Sequence, residues 1–220
     1  MTALPSDVAA FREQHRTQHI GPRYRGWLHF ATTTLGSLAA IGFAISRVRA
    51  PSARELLAIP MFFMIANLGE YFGHRGPMHH RGARLAILFE RHTQQHHRYY
   101  TNEAMAAESP RDFQMVLFPP AMLLFFLGGL AAPLGLIFGL LGSPNLGWLF
   151  AATAVGYFLL YEWLHFSYHQ PPASFIGRRA LIRRLRRHHT IHHDPRRMTS
   201  ANFNITFPIA DRLFGTTERD

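Results

Sequence analysis

Apolar and polar residues fall in long blocks along this chain rather than in short alternating stripes. Residues 1–26 are polar. Residues 27–46 are apolar and rich in Thr, Gly and Ala, a composition that lets spanning helices pack closely. A short basic turn with Pro51 leads into a second apolar block, 55–72, and Glu70 near its end argues against that turn facing lipid. Residues 73–112 are polar, whereas residues 113–161 contain no Asp, Glu, Lys or Arg. That run is too long for one core helix, since a spanning helix needs about 20 apolar residues. Gly128-Gly129, Pro133 and the 142–145 run can turn the chain inside it, so it reads as a membrane hairpin. Pro119-Pro120 kinks the third block or marks its true start. Residues 169–220 return to a polar, arginine-rich composition. The pattern predicts an all-α integral membrane protein with about four transmembrane helices, near 27–46, 55–72, 113–130 and 146–166. A polar lead-in, 1–26, precedes a single domain, 27–220.

Charge orients these spans. All 23 basic residues are arginine, and the net charge is +10. Arginines flank 73–112 and fill 169–220, whereas the 128–146 connection has none. The positive-inside rule then places both polar segments and both termini on the cytoplasmic side. The turn with Arg47, Arg49 and Arg54 falls on the opposite side, a mild violation, and the short apolar lengths of the first two spans allow a hairpin that does not cross fully. Arg178, Arg179, Arg183, Arg184, Arg186 and Arg187 form a basic stretch suited to anionic headgroups or an acidic partner. A high pI also fits nucleic-acid binding, but four apolar spans do not, and no nucleic-acid partner is expected. Residues 1–25 hold no apolar segment of the signal-peptide kind. There is no cysteine, which excludes disulfides, thiolate zinc sites and iron–sulfur clusters ligated by this chain. Electrons for any redox chemistry must come from another protein.

The candidate chemistry lies in ten histidines, at or beyond the ends of the apolar blocks. They form four clusters: His74/His79, His92/His96/His97, His165/His169 and His189/His192/His193. Neutral imidazole is a strong ligand for zinc, iron and copper, and ten are about right for two metal ions. His165 and His169 are four apart and share a helical face, as do His92 and His96. His189, His192 and His193 give a compact three-ligand face. His74 and His79 are five apart, so an unbroken α-helix points them about 140° from one another. Gly76-Pro77 between them can break the helix and let them converge. His80 and His188 are read as bystanders or supporting donors, and His15, His19 and His29 are dispersed. Glu70, Glu162 and Asp194 lie beside the clusters and are candidates to orient imidazoles from behind. Only Glu162-x-x-His165 has the Glu-x-x-His form of soluble di-iron bundles, and HExxH is absent.

The residues resemble the fatty acid hydroxylase/sterol desaturase superfamily of integral membrane enzymes. Glu70-Tyr71-Phe72-Gly73-His74-Arg75 with His79 resembles its first histidine box, and His92-Thr93-Gln94-Gln95-His96-His97 its second. Met115 to Pro120 is similar to a stretch that follows the second box in lipid 2-hydroxylases. Gly156-Tyr157, Tyr161 and His165-x3-His169 resemble the third box, and His188-His189-Thr190-Ile191-His192-His193 the fourth. Asn202-Phe203-Asn204 and Asp211 to Thr216 resemble the C-terminal signature, which adds Asn202 and Asp211 to the candidate supporting residues. The resemblance covers 70–216 and implies four spanning helices capped by a cytosolic helical domain with a dimetal centre. The second box departs from it, with three residues between His92 and His96 where two are usual. No fused cytochrome b5-like domain is expected, because the chain starts close to its first span.

Two iron ions and O2 as co-substrate follow from this resemblance, with zinc able to occupy the same nitrogens. The expected activity is O2-dependent oxidation of an unactivated C–H bond of a fatty acyl chain, a sterol or a related lipid. Either hydroxylation or desaturation fits the ligand set. A ferredoxin- or cytochrome b5-like donor with its reductase would supply electrons. The alternatives are a non-enzymatic membrane metal binder or transporter and a membrane scaffold. A transporter places its polar ligands within the spans, whereas 113–161 holds no histidine.

Overall fold

The computed structural model describes residues 4–219, and every regular element among them is helical. The main helices are α1 Ser6–Gln18, α2 Gly26–Arg47, α3 Ala53–Met78, α4 Pro110–Leu141, α5 Pro144–Tyr168, α6 Ala180–His192 and α7 Ile209–Leu213. Helices α2 to α5 are long and apolar enough to cross a membrane. Two of them differ from the pattern read along the sequence. Helix α3 runs past residue 72 and ends in a π-helical turn, His74–Met78. Helix α4 begins as a 3-10 turn, Pro110–Met115, and becomes regular α-helix only at Pro120. Gly128-Gly129 and Pro133 do not turn the chain. The helix passes both glycines in a π-helical stretch, Phe126–Ala131, and the widened turn accommodates the missing N–H and ring of Pro133 just beyond it. The reversal falls at Gly142-Ser143.

The chain divides into two compact units. One comprises residues 27–66 and 118–162. Its core is built by Phe62, Leu149, Phe150, Ala154 and Val155, with Phe62 edge-on to Phe150 at 5.1 Å. Among lipid tails there is no hydrophobic gain from burying one helix against another, so close packing must hold helices together. Glycines supply it here: a Cβ on Gly147 would lie 2.5 Å from the carbonyl oxygen of Gly135. The α2–α3 turn and the α4–α5 turn meet at one end of this unit. The Arg49 N–H donates to Asn145 Oδ1 at 2.9 Å, Asn145 Nδ2 donates back to the Arg49 carbonyl at 2.9 Å, and Ser143 Oγ donates to Glu55 at 2.5 Å.

The other unit comprises the chain up to Gly26, residues 67–117 and the chain from Trp163 onward. All ten clustered histidines belong to it. Its polar loops are held by buried side chains that bind backbone. Arg12 of α1 is fully buried and donates to the carbonyls of Tyr99, Ala104 and Ala106. Asp112, also fully buried, accepts from Tyr99 Oη at 2.6 Å and from the Glu108 and Ser109 N–H groups. Tyr71 of α3 forms a small core with Phe203 and Ala210 of the C-terminal segment.

Candidate metal centre

The ten histidines fall into two groups of five buried imidazoles. His74, His79, His92, His97 and His192 form the first group, and His96, His165, His169, His189 and His193 the second. Within each group one nitrogen per ring lies within 4.8 Å of all the others. The sequence clusters do not map onto these groups. His96 and His97 are adjacent in the chain but belong to different groups. The expected three-ligand face of α6 is likewise shared out: His189 and His193 meet in the second group, with ring centroids 4.4 Å apart, and His192 joins the first. Positions i+3 and i+4 lie about 100° apart around a helix, so they address different groups.

Two π-helical turns solve the five-residue spacings. In a π turn the backbone hydrogen bond reaches i+5, so residues five apart return to one face. The His74–Met78 turn brings His74 and His79 to a ring separation of 5.0 Å. The convergence comes from this widened turn, which contains Gly76-Pro77, rather than from a helix break. The Glu90–His96 turn does the same for His92 and His97, whose Nε2 atoms are 3.0 Å apart. The residue that makes the second box longer than usual is thus absorbed by a π turn.

The hydrogen bonds behind the rings fix which nitrogen faces inward. The Nδ1–H groups of His96, His169, His192 and His193 donate to the carbonyls of Met115, Met105, Ala201 and Tyr100, at 2.7, 2.8, 2.8 and 2.5 Å. His74 Nδ1–H donates to the Phe203 carbonyl. Thr93 Oγ donates to the Met78 carbonyl at 2.6 Å and accepts from His79 Nδ1–H at 3.2 Å. A neutral imidazole has one N–H, so each of these six rings turns an Nε2 lone pair inward. Burial keeps the rings neutral: it pushes His79 down to about 2 and His96 down to about 3, and holds His169, His192 and His193 well below the ordinary histidine value. The Nε2 atoms of His79 and His192 are 3.0 Å apart with both protons turned away. Two lone pairs facing each other at that distance repel unless a cation sits among them. The donor set therefore fits a metal ion in each group, with neutral nitrogen ligands that suit zinc, iron or copper.

The acidic candidates accept from backbone N–H groups, and three of them bind side chains as well. Glu70 accepts from Ile205 N–H, from Thr206 N–H at 3.0 Å and from Thr206 Oγ at 2.6 Å. Asp211 is fully buried and accepts from the Phe203 and Asn204 N–H groups, both at 2.8 Å, from Thr216 Oγ at 2.8 Å and from His188 Nε2 at 3.2 Å. It thereby fixes the peptide whose carbonyl, on Phe203, takes the His74 proton. Asn202 sits at φ 58°, a left-handed conformation that Asn tolerates, and binds the His188 and Glu218 carbonyls. Glu162 is buried and accepts from Phe118 N–H at 3.3 Å. Asp194 accepts from Arg196 N–H at 2.9 Å and pairs with Arg197. His80 donates to the Arg75 carbonyl at 2.7 Å, and neither His80 nor His188 is in the two groups. His29 contacts the Phe118 carbonyl, and His15 packs on Tyr99.

The sequence did not point to Thr93, Arg12 or the five backbone carbonyls. Carbonyls carry no sequence signal, and Thr93 matters only because the π turn aims it at His79.

Four apolar helices and two buried groups of five imidazoles define a class: membrane proteins with histidine-rich clusters that could hold metal ions. The fatty acid hydroxylase family profile matches residues 59–216, well over half of the chain. The chain belongs to the fatty acid hydroxylase family. Searches of the curated proteins and of the solved structures gave no match.

Proposed function

We propose that this protein is a membrane oxygenase that hydroxylates or desaturates a lipid with a pair of iron ions held by its two histidine groups. The observation that carries this reading is the pairing of family membership with two five-imidazole cages whose lone pairs converge. His74, His79, His92, His97 and His192 would hold one ion, and His96, His165, His169, His189 and His193 the other. Zinc fits the same nitrogens but has no redox change to offer. Bound there, iron would supply the reductive activation of O2. In hydroxylation one oxygen atom enters the C–H bond and the other leaves as water, at a cost of two electrons and two protons from outside. In desaturation two hydrogens leave the lipid and both oxygen atoms become water, for the same two electrons and protons. A separate ferredoxin- or cytochrome b5-like donor with its reductase would deliver the electrons, since this chain has no cysteine for a cluster of its own. The chain's part is to hold ten buried imidazoles, six of them in tautomers set by hydrogen bonds at Nδ1, away from water. The arginine distribution supports a cytoplasmic location for the histidines and both termini, and the joined α2–α3 and α4–α5 turns support two full hairpins with their tips at one end.

Metal analysis of the detergent-purified protein, followed by lipid analysis of expressing cells, tests this. The unaltered chain should carry two irons and yield lipids changed by one added oxygen or two lost hydrogens. A His96→Ala plus His192→Ala variant, which removes one ligand from each group, should do neither. Absence of bound metal would sink the proposal, and bound metal without O2 consumption in the presence of reductant and lipid extract would favour a non-enzymatic metal binder.

A further inference from the structure

The N-terminal helix lies outside the stretch that matches the family, yet one of its side chains reaches the frame of the second histidine group. Arg12 is completely buried. Its Nε–H donates to the Tyr99 carbonyl at 2.8 Å, and its two terminal nitrogens donate to Ala106 at 3.0 Å and Ala104 at 2.5 Å. The guanidinium also lies 5.2 and 5.1 Å from the ring centroids of Tyr99 and Tyr100, and 3.5 Å from Glu108. The segment it grips has no regular secondary structure from residue 101 to 107, so no helical ladder holds it. Along this segment the carbonyls take turns. Tyr99, Ala104 and Ala106 accept from Arg12, whereas Tyr100 accepts from His193 Nδ1–H and Met105 from His169 Nδ1–H. Ala107 N–H then returns to the His169 carbonyl at 2.8 Å. Both imidazoles oriented in this way belong to the second group. The observed Nδ1 partners of the first group are Phe203, Thr93 and Ala201, which lie on other segments.

We infer that Arg12 is a positioning residue for the second metal site alone. It fixes the 99–106 backbone, and that backbone holds the tautomer and tilt of His169 and His193. The planar fork matters, because three carbonyls in different directions need three directed N–H groups and a lysine offers only a point charge. This inference rests on the reading of the two histidine groups as metal sites.

Co(II) titration of the metal-stripped, detergent-solubilised full chain tests it, with absorbance reporting each equivalent. His79→Ala and His193→Ala identify which equivalent belongs to which group. In Arg12→Met the equivalent that His193→Ala abolishes should bind at least about tenfold more weakly, the scale on which supporting residues act at metal sites. The equivalent that His79→Ala abolishes should be unchanged and serves as the control for an intact fold. Arg12→Lys should weaken the same equivalent to a smaller extent, and it decides the matter by the same readout if Arg12→Met does not fold. Two unchanged equivalents in the Arg12 variants, or equal weakening of both, overturns the positioning role. Fewer than two equivalents in the unaltered chain overturns the metal reading itself, and the positioning role with it.

Discussion

Thr93 offers the sharpest test of how the cages are set. Its hydroxyl donates to Met78 at 2.6 Å and accepts from His79 Nδ1–H at 3.2 Å. Thr93→Val keeps the shape and removes both bonds. The buried His79 then has a donor without an acceptor, and a buried unsatisfied group costs about 1–3 kcal/mol. The ring can escape that cost by moving its proton to Nε2, which turns an N–H toward the metal and removes a ligand. Either way the penalty falls on the metal-bound state of the first group. About 1–3 kcal/mol corresponds to roughly 5- to 150-fold in affinity, and supporting residues at metal sites commonly contribute 10- to 100-fold. Metal titration of the stripped protein in detergent should show this loss in one equivalent only. Thr93→Ser, which restores the hydroxyl, should recover most of it. An unchanged affinity in Thr93→Val would refute the idea that this bond sets the His79 tautomer.

Three further outcomes are expected. Deleting the exposed Gln94 should turn the Glu90–His96 π turn into an α turn, with His92 then four residues from His97, so both metal equivalents should still bind, the first more weakly because Thr93 no longer aims at His79; complete loss of either would show that the wide turn is required in its own right. The metal-free chain should lose stability as pH falls below about 6.5, because burial pushes His96 down to about 3 in the folded state, so the unfolded chain takes up protons that the folded chain refuses. That stability is fully present above the unfolded value and is lost at about 1.4 kcal/mol per pH unit for such a ring, so a melting temperature equal at pH 7.5 and 5.5 would contradict it. Asp211→Asn removes the charge that accepts from two backbone N–H groups, Thr216 and His188, and should lower stability by about 2–3 kcal/mol, measured as a fall in melting temperature together with weaker binding of the first metal equivalent.

The chain itself determined a good deal. Blocks of apolar residues specify spanning helices, because a bilayer demands length and neutrality and little else. The ten clustered histidines stand out because each falls at or beyond the end of such a block. Local spacing could say which imidazoles share a helix face, as for His165 and His169. It could not say that His96 and His97 fall in different histidine groups, that His192 parts from its neighbours on α6, or that two π turns make five-residue spacings converge. Nor could it show that the 128–129 glycines continue a helix instead of ending it. Those features depend on where distant backbone lies. Arg12 and Tyr100 are far apart in sequence, and Tyr100 and His193 farther still, yet their contacts decide which nitrogen of an imidazole faces inward. Residue types establish which atoms can bind a metal; only the packed chain, through its carbonyls and its turns, decides which of those atoms point at the same place.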